Sequence, residues 1–147
     1  MAFQKTKKEN GYMSVNEIQR VIENTQEDIG LAKEQLKNLE ETFEKSKNDE
    51  KKKMLEEKIL NCKNDILESQ KVIFWNQYRL NKNELQKMTN DLNRQLEKGM
   101  ITKQEYDYKA DKLKRYAILQ ELHANCQMAE CDEKITRNRL RKKRIVR

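Results

Sequence analysis

Hydrophobic residues return every three or four positions through the first third of the chain. From Val15 to Phe43 the intervals alternate strictly between three and four, and Thr25 is the single polar member of the series. This alternation is typical of the a and d positions of a coiled coil, where a helix buries one narrow stripe. It predicts a first long helix with this stripe: Val15, Ile18, Ile22, Thr25, Ile29, Ala32, Leu36, Leu39 and Phe43.

Local signals mark both ends of this helix. Ser14, followed three residues later by Glu17, forms a capping box, in which the side chains satisfy the free backbone N–H groups of a helix start. Beyond Phe43 the stripe runs into the polar segment 46–53. We therefore predict a turn near residues 46–50.

Two hydrophobic registers follow one another after this turn. The second lies about 100° around the helix axis from the first. We predict either one helix over residues 48–98 or two helices with a break near Asn81, whose halves present different faces to different partners. The first register is Leu55, Ile59, Cys62, Ile66, Ser69 and Ile73, and the second is Phe74, Tyr78, Leu85, Met88, Leu92 and Leu96.

A hairpin turn is predicted around Gly99. Glycine readily adopts the left-handed conformation that ends a helix, and Thr102 with Glu105 forms a second capping box. So short a connection folds two helices back alongside each other. The third helix then carries a stripe at near-heptad spacing: Tyr106, Ala110, Leu113, Ala117, Ala124 and Cys131.

The predicted fold class is all-α. We expect an elongated antiparallel coiled coil, with about three long helices joined as hairpins and a basic C-terminal tail. Its parts are a flexible basic N-terminal arm (1–12), the coiled-coil helices (13–98), the third helix after the turn (99–133) and the tail (134–147).

Composition argues against a thick globular core. Of the 147 residues, 39% are charged, 35% are hydrophobic and 6% are aromatic, there is no proline, and the mean hydropathy is −1.16. The three cysteines are widely spread, unlike the framework of a secreted disulfide protein. No apolar run approaches the ~20 residues that cross a bilayer. We expect a soluble intracellular protein, cytoplasmic or nuclear, and a place in a large assembly such as a virion or ribonucleoprotein is compatible with this composition.

Residues 92–113 resemble the SHOCT motif, a short helical hairpin. The resemblance covers about a seventh of the chain and implies a module for oligomerisation or contacts, without catalytic residues. The matching positions are Leu92, Leu96, Gly99, Ile101, Thr102, Glu105, Tyr106, Lys109 and Leu113.

Candidate chemistry is sparse. His123, Cys126 and Cys131, together with Cys62, could nominally supply four zinc ligands. On one helix, however, Cys126 and Cys131 lie about 140° apart around the axis, so they cannot converge on one ion. A Cys–His nucleophile pair at 123 and 126 has no acid to orient the imidazole. We predict no metal, no cofactor and no enzymatic activity.

The densest aromatic cluster consists of Phe74, Trp75 and Tyr78. A stacking platform for nucleic-acid bases would need exposed rings beside a basic groove. We instead predict that these rings form the packing centre where the three helices meet, because large aromatic side chains favour cores and interfaces.

The C-terminal segment carries the basicity of the chain. Of residues 134–147, eight of fourteen are Lys or Arg and none is acidic, whereas the whole chain has a net charge of +7. Such a run is either a solvated surface or a site for an anionic partner. Interleaved Ile135, Leu140 and Ile145 favour a helix or arm that docks on an acidic surface. The candidate binding residues are Lys134, Arg137, Arg139, Arg141, Lys142, Lys143, Arg144 and Arg147.

Two functional hypotheses follow. In the first, the protein is a structural or scaffold protein that associates through helical seams with itself or with other proteins. Its tail anchors it to nucleic acid or to an acidic protein surface. In the second, it is a nucleic-acid-binding factor dimerised by its coiled coil. Neither hypothesis requires a membrane or a small-molecule substrate.

Overall fold

A computed structural model describes residues 13–146 and contains three helices. They are α1 (Val15–Lys45), α2 (Asp49–Glu97) and α3 (Lys103–Val146). No strand occurs within this described range. The prediction of an all-α fold with about three long helices is confirmed. The proposed N-terminal arm, residues 1–12, and Arg147 lie outside the described residues.

Side-chain caps begin the first two helices. The hydroxyl of Ser14 accepts a hydrogen bond from the backbone N–H of Glu17 at 3.1 Å. Asn48 caps α2, because its side-chain oxygen accepts from the backbone N–H groups of Glu50 and Lys51. Such caps satisfy donors that have no partner within the helix. The polar segment between Phe43 and Leu55 therefore contains the connection between α1 and α2.

The second helix is continuous. It runs 49 residues past Asn81 without a break, which corresponds to about 73 Å at the rise of an α-helix. Of the two alternatives left open by its sequence, the single helix is the one observed. Both hydrophobic registers therefore lie on one rigid element, and they face different directions.

Helix α1 packs on the first register of α2. The buried cluster between them combines isoleucines of α1 with Cys62, Ile66 and Ile73 of α2. Ile18, in the first turn of α1, is 1% exposed. The thiol of Cys62 donates to the carbonyl oxygen of Ala32 at 3.3 Å, which fixes the register where the helices meet. The isoleucines contributed by α1 are Ile18, Ile22 and Ile29.

Helix α3 packs along another face of α2. Side-chain hydrogen bonds cross between the two helices at four levels, so they are antiparallel and in register from the hairpin tip to the C-terminal turns. The pairs are Tyr106 Oη to Asn93 Oδ1 at 2.7 Å, Asn81 Nδ2 to Gln120 Oε1 at 3.0 Å, Lys71 Nζ to Asp132 Oδ1 at 2.6 Å and Asn138 Nδ2 to Asn64 Oδ1 at 2.9 Å.

Helix α2 is the shared central element. Within residues 13–146, no Cα atoms of α1 and α3 lie within 8 Å of each other, whereas both helices pack along α2. At one end of α1, Met13 accepts a hydrogen bond from Arg79, and at the other end Lys52 lies over the ring of Phe43. Helix α1 therefore runs beside the first two thirds of α2. The hairpin formed by the remaining third of α2 and the start of α3 extends beyond it.

Two local expectations about α2 are wrong. Asn76 is 5% exposed, so the first register continues through this polar residue rather than stopping at Ile73. Its side-chain N–H donates to the carbonyl oxygen of Val72 at 2.7 Å, which satisfies the donor inside the packed interface.

Trp75 is 46% exposed and is not the packing centre, because the buried positions here belong to Ile73 and Asn76. Its ring instead lies 5.6 Å from that of Tyr78.

Helix α3 has no boundary at residue 134. It continues unbroken to Val146, and Ile135 is only 2% exposed. The buried positions Ala124, Cys131 and Ile135 extend the same packing face toward the C-terminus. The basic segment is therefore the last part of α3 rather than a separate arm.

Candidate functional site

The hairpin between α2 and α3 closes through the backbone of Gly99. Its φ angle is +70°, the left-handed conformation that an L-residue adopts only with strain. The N–H of Gly99 donates to the carbonyl of Leu96 at 3.1 Å, and the N–H of Met100 donates to that of Gln95 at 2.9 Å. This pair of bonds is a Schellman motif, which satisfies the last carbonyls of a helix.

Thr102 begins α3. Its hydroxyl accepts from the backbone N–H of Glu105 at 3.1 Å and lies 3.3 Å from that residue's carboxylate. The carboxylate therefore contacts the capping side chain rather than the backbone N–H of Thr102. The three positions chosen as hairpin-turn residues, Gly99, Thr102 and Glu105, thus form one local structure. The resemblance to the SHOCT motif stays a prediction.

Part of the basic segment binds to acids of the same chain. Arg139, Arg141 and Lys142 each lie 3.6–4.0 Å from a carboxylate oxygen of α2. Each such surface pair contributes little to stability, about 0–1 kcal/mol, but together they hold the C-terminal turns beside α2. The pairs are Arg139 with Glu68, Arg141 with Glu56, and Lys142 with Glu57.

Four further basic residues of the described segment make no ion pair with α2. Arg137 pairs with Glu133 one turn earlier on α3. Lys134, Lys143 and Arg144 form no ion pair with any described residue, and all three are exposed. Their charges are therefore available to a partner without breaking an intramolecular contact.

One groove combines basic and apolar groups. Three arginines, Arg137, Arg141 and Arg144, are spaced i, i+4 and i+7, so they follow one side of α3. With Glu56, Leu140 and Ile145 they line an open cavity of about 570 Å³. Leu140 is 53% exposed. We call this surface the basic groove.

A smaller cavity adjoins the basic groove through Arg141. It measures about 300 Å³ and brings Arg141 near Glu40 and Glu44 of α1, in addition to Glu56 of α2. The side chain of Arg141 is thus surrounded by acids of its own chain. Arg144, one turn further on, is the arginine of the groove with the most freedom to bind a partner.

The acidic residues that meet this segment were not predicted from the sequence. Glu56, Glu57 and Glu68 looked like ordinary solvated charges on a helix surface. Only the alignment of α2 with α3 shows that they lie opposite Arg139, Arg141 and Lys142. No local sequence signal identifies such pairs, because the partners lie some 70 to 85 residues apart.

The cysteines and the histidine do not converge. Cys62 lies in the contact between α1 and α2, Cys131 is buried near Lys71, and Cys126 and His123 are exposed. Among residues 13–146, no group of three or more His, Cys, Asp or Glu side chains is placed to hold a metal ion. Burial raises the pKa of the Cys62 thiol, with Asp65 adding to the effect, and burial likewise raises the pKa of Cys131. Both buried thiols therefore stay protonated and behave as small apolar groups.

No protein-family model, curated protein or solved structure matches this chain. Across the described helices, none combines the length and apolar character needed to cross a bilayer. Any statement about function therefore depends on the surfaces described above.

Proposed function

We propose that the protein is a non-enzymatic helical scaffold that anchors to an acidic protein surface through the basic groove. The observation that carries this proposal is the groove itself, in which Arg137, Arg141 and Arg144 flank two apolar side chains. Arginine is well suited to bind carboxylates, since its planar guanidinium makes paired hydrogen bonds. Leu140 and Ile145 add apolar contacts that a protein partner can cover.

The architecture supports a structural role. Helices α1 and α3 each pack on α2 without packing on one another, so each helix keeps a long exposed surface. Such rigid helices hold binding surfaces at fixed separations. The basic groove and the hairpin tip at Gly99 lie at opposite ends of α3, about 60 Å apart at the rise of an α-helix.

An acidic protein fits the groove better than nucleic acid does. Three of the basic residues already pair with α2, and only Lys134, Lys143 and Arg144 lack ion pairs in the described segment. Phosphate binding depends on the number of free charges, whereas the apolar residues of the groove have no role in contacting a phosphate backbone. The hypothesis of a dedicated nucleic-acid-binding factor remains the alternative outcome of the test.

The test compares two labelled probes by fluorescence anisotropy. One is an acidic amphipathic helical peptide with alternating Glu and Leu faces, and the other is a duplex DNA. We expect the peptide to bind, and Ile145→Asp to weaken this binding about tenfold or more while changing DNA binding little, because only a protein partner buries Ile145. Circular dichroism checks that the variant is still helical.

A charge variant provides the matched control. Arg137→Gln with Arg141→Gln and Arg144→Gln removes the three arginines of the groove and should reduce peptide binding. Lys33→Gln with Lys37→Gln and Lys109→Gln removes the same charge from exposed positions elsewhere and should change it little. Equal binding by both triple variants would exclude the groove. If only DNA binds, with a log–log salt slope near −3 for about three phosphate contacts, the nucleic-acid alternative replaces the proposal.

A further inference from the structure

The face of α3 that no other described helix covers carries several apolar side chains. Ile118, Leu119 and Leu122 are 58%, 62% and 55% exposed, and Tyr116 is 51% exposed. Toward α2, Ala124 is buried. Leu113 and Leu119 both line an open cavity that α2 also lines, and Leu119 remains exposed there. Contiguous exposed apolar patches mark surfaces of protein–protein contact. This stretch of α3 therefore has a second packing surface in addition to its contact with α2.

The exposed residues on this face have coiled-coil spacing. From Lys112 to Glu133 the intervals alternate three, four, three, four, three and four, and every member is exposed. Such a stripe fits into the side chains of another helix rather than around a small molecule. We call it the outer seam, and it consists of Lys112, Arg115, Leu119, Leu122, Cys126, Ala129 and Glu133.

The order of charges along the outer seam identifies the partner. Lys112 and Arg115 precede the apolar centre of the seam, and Glu133 follows it. When a second copy runs in the opposite direction, its Glu133 therefore meets Arg115 of the first copy. From this we infer that two copies of the chain pair antiparallel through their outer seams. Arg115 of each copy then lies opposite Glu133 of the other, and the four apolar residues fill the layers between these ion pairs.

The register follows from these ion pairs. Placing Arg115 opposite Glu133 brings Leu119 opposite Ala129 and Leu122 opposite Cys126, so large side chains meet small ones. A parallel pair would instead bring Arg115 against Arg115 and Glu133 against Glu133, which is unfavourable. It would also bring the two Cys126 thiols together.

The ion pairs that Arg115 and Glu133 make within their own chain do not prevent them from pairing across the dimer. Arg115 now pairs with Asp111 at 3.0 Å, and Glu133 pairs with Arg137, both within one exposed helix. Exposed pairs at this spacing contribute little to stability, so exchanging them for contacts with the second copy costs little. Tyr116 and Ile118 flank the outer seam and would be partly covered.

This inference goes beyond the proposed function and needs no acidic partner. The twofold axis lies level with residue 124, and residue 141 is about 26 Å along the helix from it. The dimer would therefore place two basic grooves about 50 Å apart, which gives a bivalent scaffold. Dimerisation is measured without a peptide or DNA probe. The antiparallel dimer and the binding of an acidic protein in the basic groove can therefore each be disproved without affecting the other.

Sedimentation velocity over a concentration series provides the first test. We expect the full chain to dimerise reversibly and Leu119→Glu with Leu122→Glu to sediment as a monomer with unchanged helical content. Leu31→Glu is the matched control, because Leu31 is 64% exposed on α1 and outside the outer seam. A wild-type chain that stays monomeric at every concentration, or a double variant that dimerises as well as Leu31→Glu, would overturn the inference.

Charge reversal and cross-linking test the register. Arg115→Glu alone and Glu133→Arg alone should each weaken the dimer, and the double variant should restore it, because the reversed charges again meet across the axis. On oxidation by dissolved oxygen, Leu122→Cys should form an intermolecular disulfide with Cys126, and this disulfide should disappear when Cys126→Ser is added. A wild-type disulfide between two Cys126 residues, or a double variant weaker than both single variants, would exclude the antiparallel register.

Discussion

Asn138 on α3 donates a side-chain hydrogen bond to Asn64 on α2, with 2.9 Å between Nδ2 and Oδ1, although the two residues are 74 positions apart. This bond lies inside the basic segment, between buried Ile135 and half-buried Lys142. The segment therefore contributes to the fold as well as to the charge of the chain. Deleting residues after Glu133 would disturb both, so point variants are the sharper test of binding.

Ile135→Ala should destabilise the protein by about 2–5 kcal/mol, because it removes a fully buried side chain and leaves a cavity between α2 and α3. Leu140→Ala, five residues later and 53% exposed, should change the free energy of unfolding by less than about 0.5 kcal/mol. Urea denaturation followed by circular dichroism measures both. Equal effects would mean that the basic segment does not pack on α2 in solution.

The same substitution should have opposite effects at two glycines. Gly99→Ala should cost about 1–2 kcal/mol, because alanine at a φ of +70° is strained. Gly30→Ala should stabilise the protein by about 0.5–1 kcal/mol, because Gly30 lies within α1, where alanine is the better helix former.

The two glycines can be compared directly because neither position is sterically crowded. A Cβ atom at either position would meet no heavy atom within 4 Å, so steric crowding contributes to neither effect. Backbone conformation is the one difference. Thermal unfolding of the two variants should shift the midpoint in opposite directions, and a shift of the same sign would contradict the left-handed turn at Gly99.

Cysteine labelling should separate Cys126 from the other two thiols. Cys126 is exposed and should react rapidly with a disulfide reagent in the native protein, whereas buried Cys62 and Cys131 should react only as the helices open. In denaturant all three should react at similar rates. Mass spectrometry after a short native pulse identifies the labelled residue, and early labelling of Cys62 would contradict its place between α1 and α2.

Stability should fall at alkaline pH. Burial raises the pKa of Cys62 and Cys131, so the folded protein holds their protons above the pH, about 8.5, at which unfolded thiols ionise. The hydrogen bond from Lys71 to Asp132 raises the pKa of Lys71. The stability that this pair contributes is therefore fully present below the usual pKa of lysine and is lost as the pH rises above it.

A double variant separates the effect of the two thiols from the effect of Lys71 on this pH dependence. Cys62→Ala with Cys131→Ala should flatten the decline in unfolding free energy between about pH 8.5 and 10, even though its stability is lower overall. The loss at higher pH should remain, because Lys71 and Asp132 are unchanged. Urea denaturation at several pH values provides the measurement, and an unaltered slope below pH 10 would show that the thiols do not cause it.

Local features of the sequence were enough to predict the helices. The strict three–four spacing from Val15 to Phe43 and the turn signals at Ser14 and Gly99 arise from local geometry: helical repeat, capping and the permissive backbone of glycine. Such features depend on neighbouring residues and can be deduced from the chain itself. The hydrophobic registers of α2 also indicated two faces, although not how far each one extends.

Tertiary structure decided what each face meets. Asn76 is buried and Trp75 is half-exposed, the reverse of what residue type suggests, because the direction of each side chain relative to α1 and α3 outweighs its hydrophobicity. The same holds for the basic segment. Its charges were evident in the sequence, but only the antiparallel alignment of α2 and α3 divides them into residues that meet Glu56, Glu57 and Glu68 and residues that remain free. Pairing between distant residues depends on how the helices are aligned, and local sequence does not encode that alignment.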